Sequence, residues 1–435
     1  MSTRFFSLIC KHKALRRVAV WSICLSVLTS CGKDDDIVDP VEPKKIFSLS
    51  VDASYPATTR DNWVLLHDQN GSLIDFKKYK AGDVLTFETE KEIKDNKMTV
   101  TIFANRENAI NYRIKSFANI PTGEVWTLKG PTPEYPFVFP TGIGQFDIIV
   151  NDIPADKKVR VAENSCTASF MLGSSADKTV IKSPLLSTTP YYTPYYMTTV
   201  ESERDEHPKY KVIANPKDKD TYEFSYAEMS EFERILPVSF SDAGSFYARI
   251  CGFGEDQSYI PGNVSGCCHS YDNSALPKET SMHLAFTSAF PKYQTSVYMN
   301  TGNYLFIYDQ QGPMPESIRV PQNAKYGSVN KSVHHYTYTY DQPFDRLDYA
   351  AVYHDPNRAD VNISWTIYTG KECPVIQELP EGLIVEYPSI NFSYFSDVSP
   401  EFISGESHED MVALNFKAGT KEKDAFAKSS YIPKP

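Results

Sequence analysis

The chain has 435 residues, of which 41% are hydrophobic and 23% charged, with 29 Pro, 20 Gly, 28 Tyr and 25 Phe. That length exceeds one ordinary domain, and that composition excludes a wholly disordered or collagen-like chain. The formal charge of −11 argues against nucleic acid as a partner, because phosphate binding needs a clustered basic surface.

The N-terminus reads as a processing signal. Arg4, Lys11, Lys13, Arg16 and Arg17 form a basic segment with no acidic residue, and Val18 to Leu28 is then uncharged and mostly apolar. At 1.5 Å per residue this stretch is only about 16 Å long, short of the ~30 Å hydrocarbon core, so it is a signal h-region rather than a membrane span. Leu28-Thr29-Ser30-Cys31 follows. It resembles a bacterial lipobox, which implies cleavage before Cys31 and acyl chains on that residue. Several chains on one residue give stable anchoring where one gives marginal binding.

The next residues, Lys33, Asp34, Asp35 and Asp36 after Gly32, resemble the surface-export signal of Bacteroidota lipoproteins. The resemblance implies an outer-membrane protein facing the cell exterior. Loss of residues 1–30 removes five basic residues and leaves 39 Lys+Arg against 55 Asp+Glu, a net −16. Such a protein does not adhere to anionic membranes by charge, so the lipid on Cys31 is its expected membrane contact. Residues 31–45 are charged and contain prolines, and read as a tether.

Strand patterns dominate the rest. Asn62 to Gly71 is an apolar run ending in a turn signal, and Asn303 to Gly312 repeats its pattern. The likeness suggests two β-units of related construction. Met98, Val100 and Ile102 alternate with Thr99, Thr101 and Phe103. Phe146, Ile148 and Val150 alternate with Asp147, Ile149 and Asn151. Val361, Ile363, Trp365 and Ile367 alternate with Asn362, Ser364, Thr366 and Tyr368. Period two places one set on a buried face. One short helix is expected near Ser225 to Leu236, where Ser225 and Glu228 give a capping-box pattern and Tyr226, Met229 and Phe232 recur at helical spacing.

The fold class expected is all-β: tandem β-sandwich domains, immunoglobulin-like or similar, after a lipidated tether. Pro- and Gly-rich breaks divide the chain into a signal (1–30), a tether (31–45), a first sandwich (46–131), a β-rich second domain with the short helix (132–265), a third sandwich (266–416) and a polar tail (417–435).

Five cysteines remain after processing and lipidation: Cys166, Cys251, Cys267, Cys268 and Cys373. Cys251 with Cys267 or Cys268 is the most local disulfide, and its closed loop is worth about 3 kcal/mol. Cys267-Cys268-His269 lacks the paired spacing of a zinc site, so no metal or cofactor is expected. Enzyme signatures are missing: there is no Gly-x-Ser-x-Gly elbow, no His-Glu-x-x-His helix and no phosphate-binding glycine loop. His334 and His335 fall in an alternating stretch and read as strand residues facing opposite sides.

The segment Pro190 to Tyr196 stands out. Pro restrains the backbone while Tyr191, Tyr192, Tyr195 and Tyr196 offer flat apolar faces with polar edges, suited to a sugar ring or a protein partner. The other reading is a proline-rich loop or edge strand whose rings cover the adjacent core. The expected function is non-catalytic binding of a glycan or protein at the cell surface. In organisation the chain is similar to glycan-binding lipoproteins of Bacteroidota nutrient uptake. A structural or adhesive lipoprotein, similar in build to fimbrial anchor and tip subunits, is the alternative, and a hydrolase with a dispersed site is the third.

Overall fold

Alternating residues bury one face when a second layer packs against it. The computed structural model describes residues 42–56, 61–105, 111–130, 141–163, 169–172, 177–186, 195–201, 207–253, 269–272, 279–354, 362–420 and 425–434. The signal, Cys31 and the export signal lie outside them.

The first strands are β1 (Lys44–Val51), β2 (Asn62–His67), β3 (Leu73–Tyr79), β4 (Val84–Thr89), β5 (Lys97–Asn105), β6 (Asn111–Pro121) and β7 (Glu124–Leu128). Next come β8 (Gly142–Ile153), β9 (Lys158–Glu163), β10 (Ser169–Leu172), β11 (Asp177–Leu186), β12 (Tyr195–Glu201), β13 (Lys209–Ala214), β14 (Thr221–Ser225) and β15 (Ser230–Glu231). The strands β16 (Arg234–Phe253), β17 (His269–Asp272), β18 (Glu279–Phe286), β19 (Lys292–Thr301) and β20 (Tyr304–Gly312) follow. The last are β21 (Tyr326–Asn330), β22 (Thr337–Tyr340), β23 (Arg346–His354), β24 (Asn362–Thr369), β25 (Ser399–Ser404) and β26 (Phe426–Pro433). Among the described residues two α-helices, α1 (Glu381–Glu386) and α2 (His408–Phe416), lie among the late strands. The chain is therefore all-β and sandwich-like.

Pro43–Pro435 forms one compact unit, with three apolar cores among the described residues. The sheet β4-β1-β7 covers one face of β2, β5 and β6. Phe47, Leu49, Val64, Leu66, Val100 and Trp126 meet between the two layers. Helix α2 closes this core: the Phe416 ring stacks on Trp126 at 4.0 Å between centroids. Every residue of β2 is buried. Trp63 and Leu65 enter the largest core while Val64 and Leu66 enter the first, which is why the strand reads as a continuous apolar run. In the middle of the chain β11-β8-β14 and β10-β9-β12-β13-β15 share a separate core around Phe146, Ile148, Val150, Val161 and Tyr196.

The dominant element among the described residues is a sheet of thirteen strands, ordered β17-β16-β19-β20-β26-β25-β23-β24-β6-β5-β2-β3, with β18 also on β16. It joins segments that the Pro-rich breaks assign to different domains. β6 pairs in parallel with β24, with Ile114 opposite Trp365, and β16 pairs with β18 and β19. The expected boundaries at 131 and 265 thus do not divide this sheet, because backbone pairing ignores how far apart two strands lie in sequence. β16 serves two pairings: Arg234 to Ser239 lie along β18, and Gly244 to Phe253 lie along β19. At the change-over, a Cβ on Gly244 would stand 2.8 Å from the Asn300 carbonyl oxygen. Glycine permits that close approach.

Three local expectations are corrected. The stretch Ser225 to Leu236 is one 3-10 turn, Tyr226–Glu228, followed by strand. The Ser225 N–H donates to the Glu228 carboxylate at 2.7 Å, but Met229 and Phe232 enter different cores, so no single helical face exists to bury. Residues 417–435, expected as a polar tail, contain β26, which pairs with β20 on one edge and β25 on the other. Its place is secured by backbone hydrogen bonds, which polar side chains do not prevent. The two similar segments also diverge. After β2 the chain turns, with Asp68 accepting the Asn70 and Ser72 N–H groups at 2.9 Å and Gly71 at φ +87°. Asn303 to Gly312 instead continues as β20 through Gly312. β2 lies between β3 and β5, and β20 between β19 and β26, so the two do not occupy equivalent places.

Candidate functional site

The tyrosines singled out by sequence do not form a shared platform. Tyr191 and Tyr192 lie outside the described residues, and of Tyr195 only its place in β12 is described. Tyr196 is buried in the middle core. Its hydroxyl donates to the Pro184 carbonyl at 3.0 Å, and its ring meets Phe146 edge-on at 4.7 Å. Tyr196 is therefore a core residue. Cys251 is buried on β16, while Cys267 and Cys268 lie outside the described residues, as does Cys166. Cys373 is a free thiol that burial pushes up to about 12, so it carries little thiolate at neutral pH. His334 and His335 sit in a 3-10 turn, Val333–His335, rather than in the strand. The His334 ring packs on Phe392 at 4.4 Å, and its Nδ1 lies 2.7 Å from Ser332 Oγ.

An aromatic surface arises elsewhere. Tyr247 of β16 is directly opposite Tyr298 of β19, and Tyr298 is opposite Ile307 of β20. Both tyrosines are 42% exposed. Their strand neighbours Phe246, Met299 and Phe306 point the other way into the largest core, so period two sends the tyrosine row outward. One row along, Arg249, Ser296, Asp309 and Lys428 stand in cross-strand register, and Ser296 Oγ donates to Asp309 Oδ1 at 2.8 Å. On the other side lie Ser245, Asn300 and Leu305. The result is a flat apolar strip between hydrogen-bonding groups. Sequence reasoning missed it because Tyr247 and Tyr298 sit in separate strands, and only the register brings them together.

The strongest buried electrostatics lie on β23. Arg346 and Asp348 are both buried, with Glu406 against the same guanidinium. Burial pushes the Asp348 carboxyl up to about 7 against the pull of Arg346, with Glu401 and Glu406 adding like charge. This cluster ties β23 to the approach to α2. It reads as structural.

Among the described residues no group of three or more His, Cys, Asp and Glu side chains is placed to hold a metal, and no helix is long and apolar enough to cross a membrane. No protein-family model matches the chain, and no curated protein matches it.

Proposed function

We propose that the chain is a lipid-anchored protein of the bacterial outer surface that binds an extracellular glycan without transforming it. The lipobox ending at Cys31 and the acidic residues Asp34, Asp35 and Asp36 support the address. The observation that carries the binding reading is the outward Tyr247–Tyr298 pair, flanked on the same face by Arg249, Ser296 and Asp309. Flat rings accept the apolar faces of sugar rings at low entropic cost, while the neighbouring polar row can bond hydroxyls. A protein ligand would use the same rings as anchors.

The test is a glycan-array screen of the mature protein beside its Tyr247→Ala/Tyr298→Ala double variant. The wild type is expected to bind a glycan and the variant to lose it. Because both rings face outward, the melting temperature should move by no more than about 2 °C. Capture of a protein partner with no glycan bound would replace glycan by protein in this reading, and a large loss of stability would show that the rings are structural.

A further inference from the structure

β25 and β26 pair from Ser404 opposite Ser429 to Phe402 opposite Tyr431. Two residues further along that register lie Pro400 and Pro433, beyond the last recorded pair. Past Phe402 and Tyr431, Pro400 pairs with Tyr349 of β23 and Pro433 with Tyr304 of β20. Where this pairing ends there is a cavity of about 90 Å³ lined by Tyr326, Lys331, Asp397, Val398, Ser399, Pro400 and Pro433. Pro400 and Pro433 are buried, and Tyr326 is half-buried. The Tyr326 hydroxyl is held by Tyr336 at 2.8 Å, which restrains the ring that walls the opening. Lys331 Nζ and Asp397 Oδ1 are 3.5 Å apart, with their side chains 42% and 81% exposed.

This combination selects a ligand. A space of that size holds several waters and admits the edge of one hexose ring. An ammonium beside a carboxylate presents donors next to acceptors. A vicinal diol answers that pattern, one oxygen accepting from Lys331 and the neighbouring hydroxyl donating to Asp397. The half-buried Tyr326 offers its ring to the C–H face of the sugar. A simple anion would face Asp397, and a hydrocarbon would leave the ion pair desolvated without compensation. We infer that the cleft between Pro400 and Pro433 receives the terminal sugar residue of a glycan, held by vicinal hydroxyls between Lys331 and Asp397. The inference rests on the glycan-binding reading above and adds to it an end-recognising site separate from the Tyr247–Tyr298 face.

The experiment titrates the full mature protein with the methyl glycosides of glucose, galactose, mannose and N-acetylglucosamine, by saturation-transfer NMR and calorimetry, in parallel with oligosaccharides. At least one methyl glycoside is expected to bind. Lys331→Met and Asp397→Ala should each weaken that binding tenfold or more with the melting temperature unchanged. If oligosaccharides bind but no methyl glycoside does, or if methyl glycoside binding is indifferent to both cleft variants, the cleft assignment falls and the glycan reading stands. If no sugar of any length binds, both fall.

Discussion

Arg346 holds Asp348 through a two-point fork: Nε donates to Oδ1 at 2.9 Å and Nη2 to Oδ2 at 3.0 Å. The third guanidinium nitrogen, Nη1, is taken by Glu406 at the entrance to α2. One guanidinium thus ties β23 to the segment that carries Trp126's stacking partner, Phe416.

Removing that guanidinium should be costly. Arg346→Met leaves two carboxylates without their cation, and an orphaned buried charge costs about 3–5 kcal/mol. Denaturant unfolding should show a loss of that size. The triple variant Arg346→Met/Asp348→Leu/Glu406→Gln should recover most of it, because no uncompensated charge then remains.

Asp348 also predicts a pH slope. Its folded value of about 7 lies above the ordinary 3.8, so the folded state holds the proton more tightly. The stabilisation from this group is complete below about pH 4 and is lost as pH rises through about 7. Asp348→Asn should flatten that falling limb in melting temperature measured from pH 4 to 8. An unchanged slope would show that Asp348 does not titrate there.

Two histidines predict the opposite slope. His67 Nε2–H donates to the Glu378 carbonyl at 2.8 Å, and His408 Nε2–H donates to the Ala118 carbonyl at 2.8 Å. In each ring Nδ1 is buried with no hydrogen-bond partner among the described residues. Burial holds both below the usual imidazole value. Their stabilisation is present above about pH 6.5 and is lost as pH falls, because a second ring proton would have no acceptor. His67→Gln and His408→Gln, each retaining a donor, should reduce the acid loss of stability. The two slopes oppose each other between pH 4 and 7, so the variants are needed to resolve them.

Truncation before Phe426 should abolish folding rather than trim a tail. It removes β26 from between β20 and β25 and strips the pairing edges of both. Circular dichroism and proteolysis of a 1–424 chain would register the loss, and a native melting temperature would contradict it.

The address is tested separately. Cys31→Ser should move the protein from the membrane fraction to the soluble fraction, and protease added to intact cells should digest the wild type. Full protection would refute outward exposure.

What the sequence determined by itself is local. The alternation around Phe146, Ile148 and Val150 and around Ile363, Trp365 and Ile367 announced strands with one buried face, and the continuous apolar run of β2 announced burial on both. Those patterns are legible because side-chain direction repeats every two residues along a single strand. Tertiary structure decided which strands are neighbours. Backbone hydrogen bonds are almost indifferent to side-chain identity, so nothing in residues 426–433 announced a central strand, and nothing near Ser225 announced that Met229 and Phe232 would part into different cores. The candidate surfaces belong to this second kind. Tyr247 stands opposite Tyr298 across a ladder, and the cleft gathers Tyr326, Lys331, Asp397 and Pro433 from segments far apart in sequence. Only the tertiary structure brings either set together.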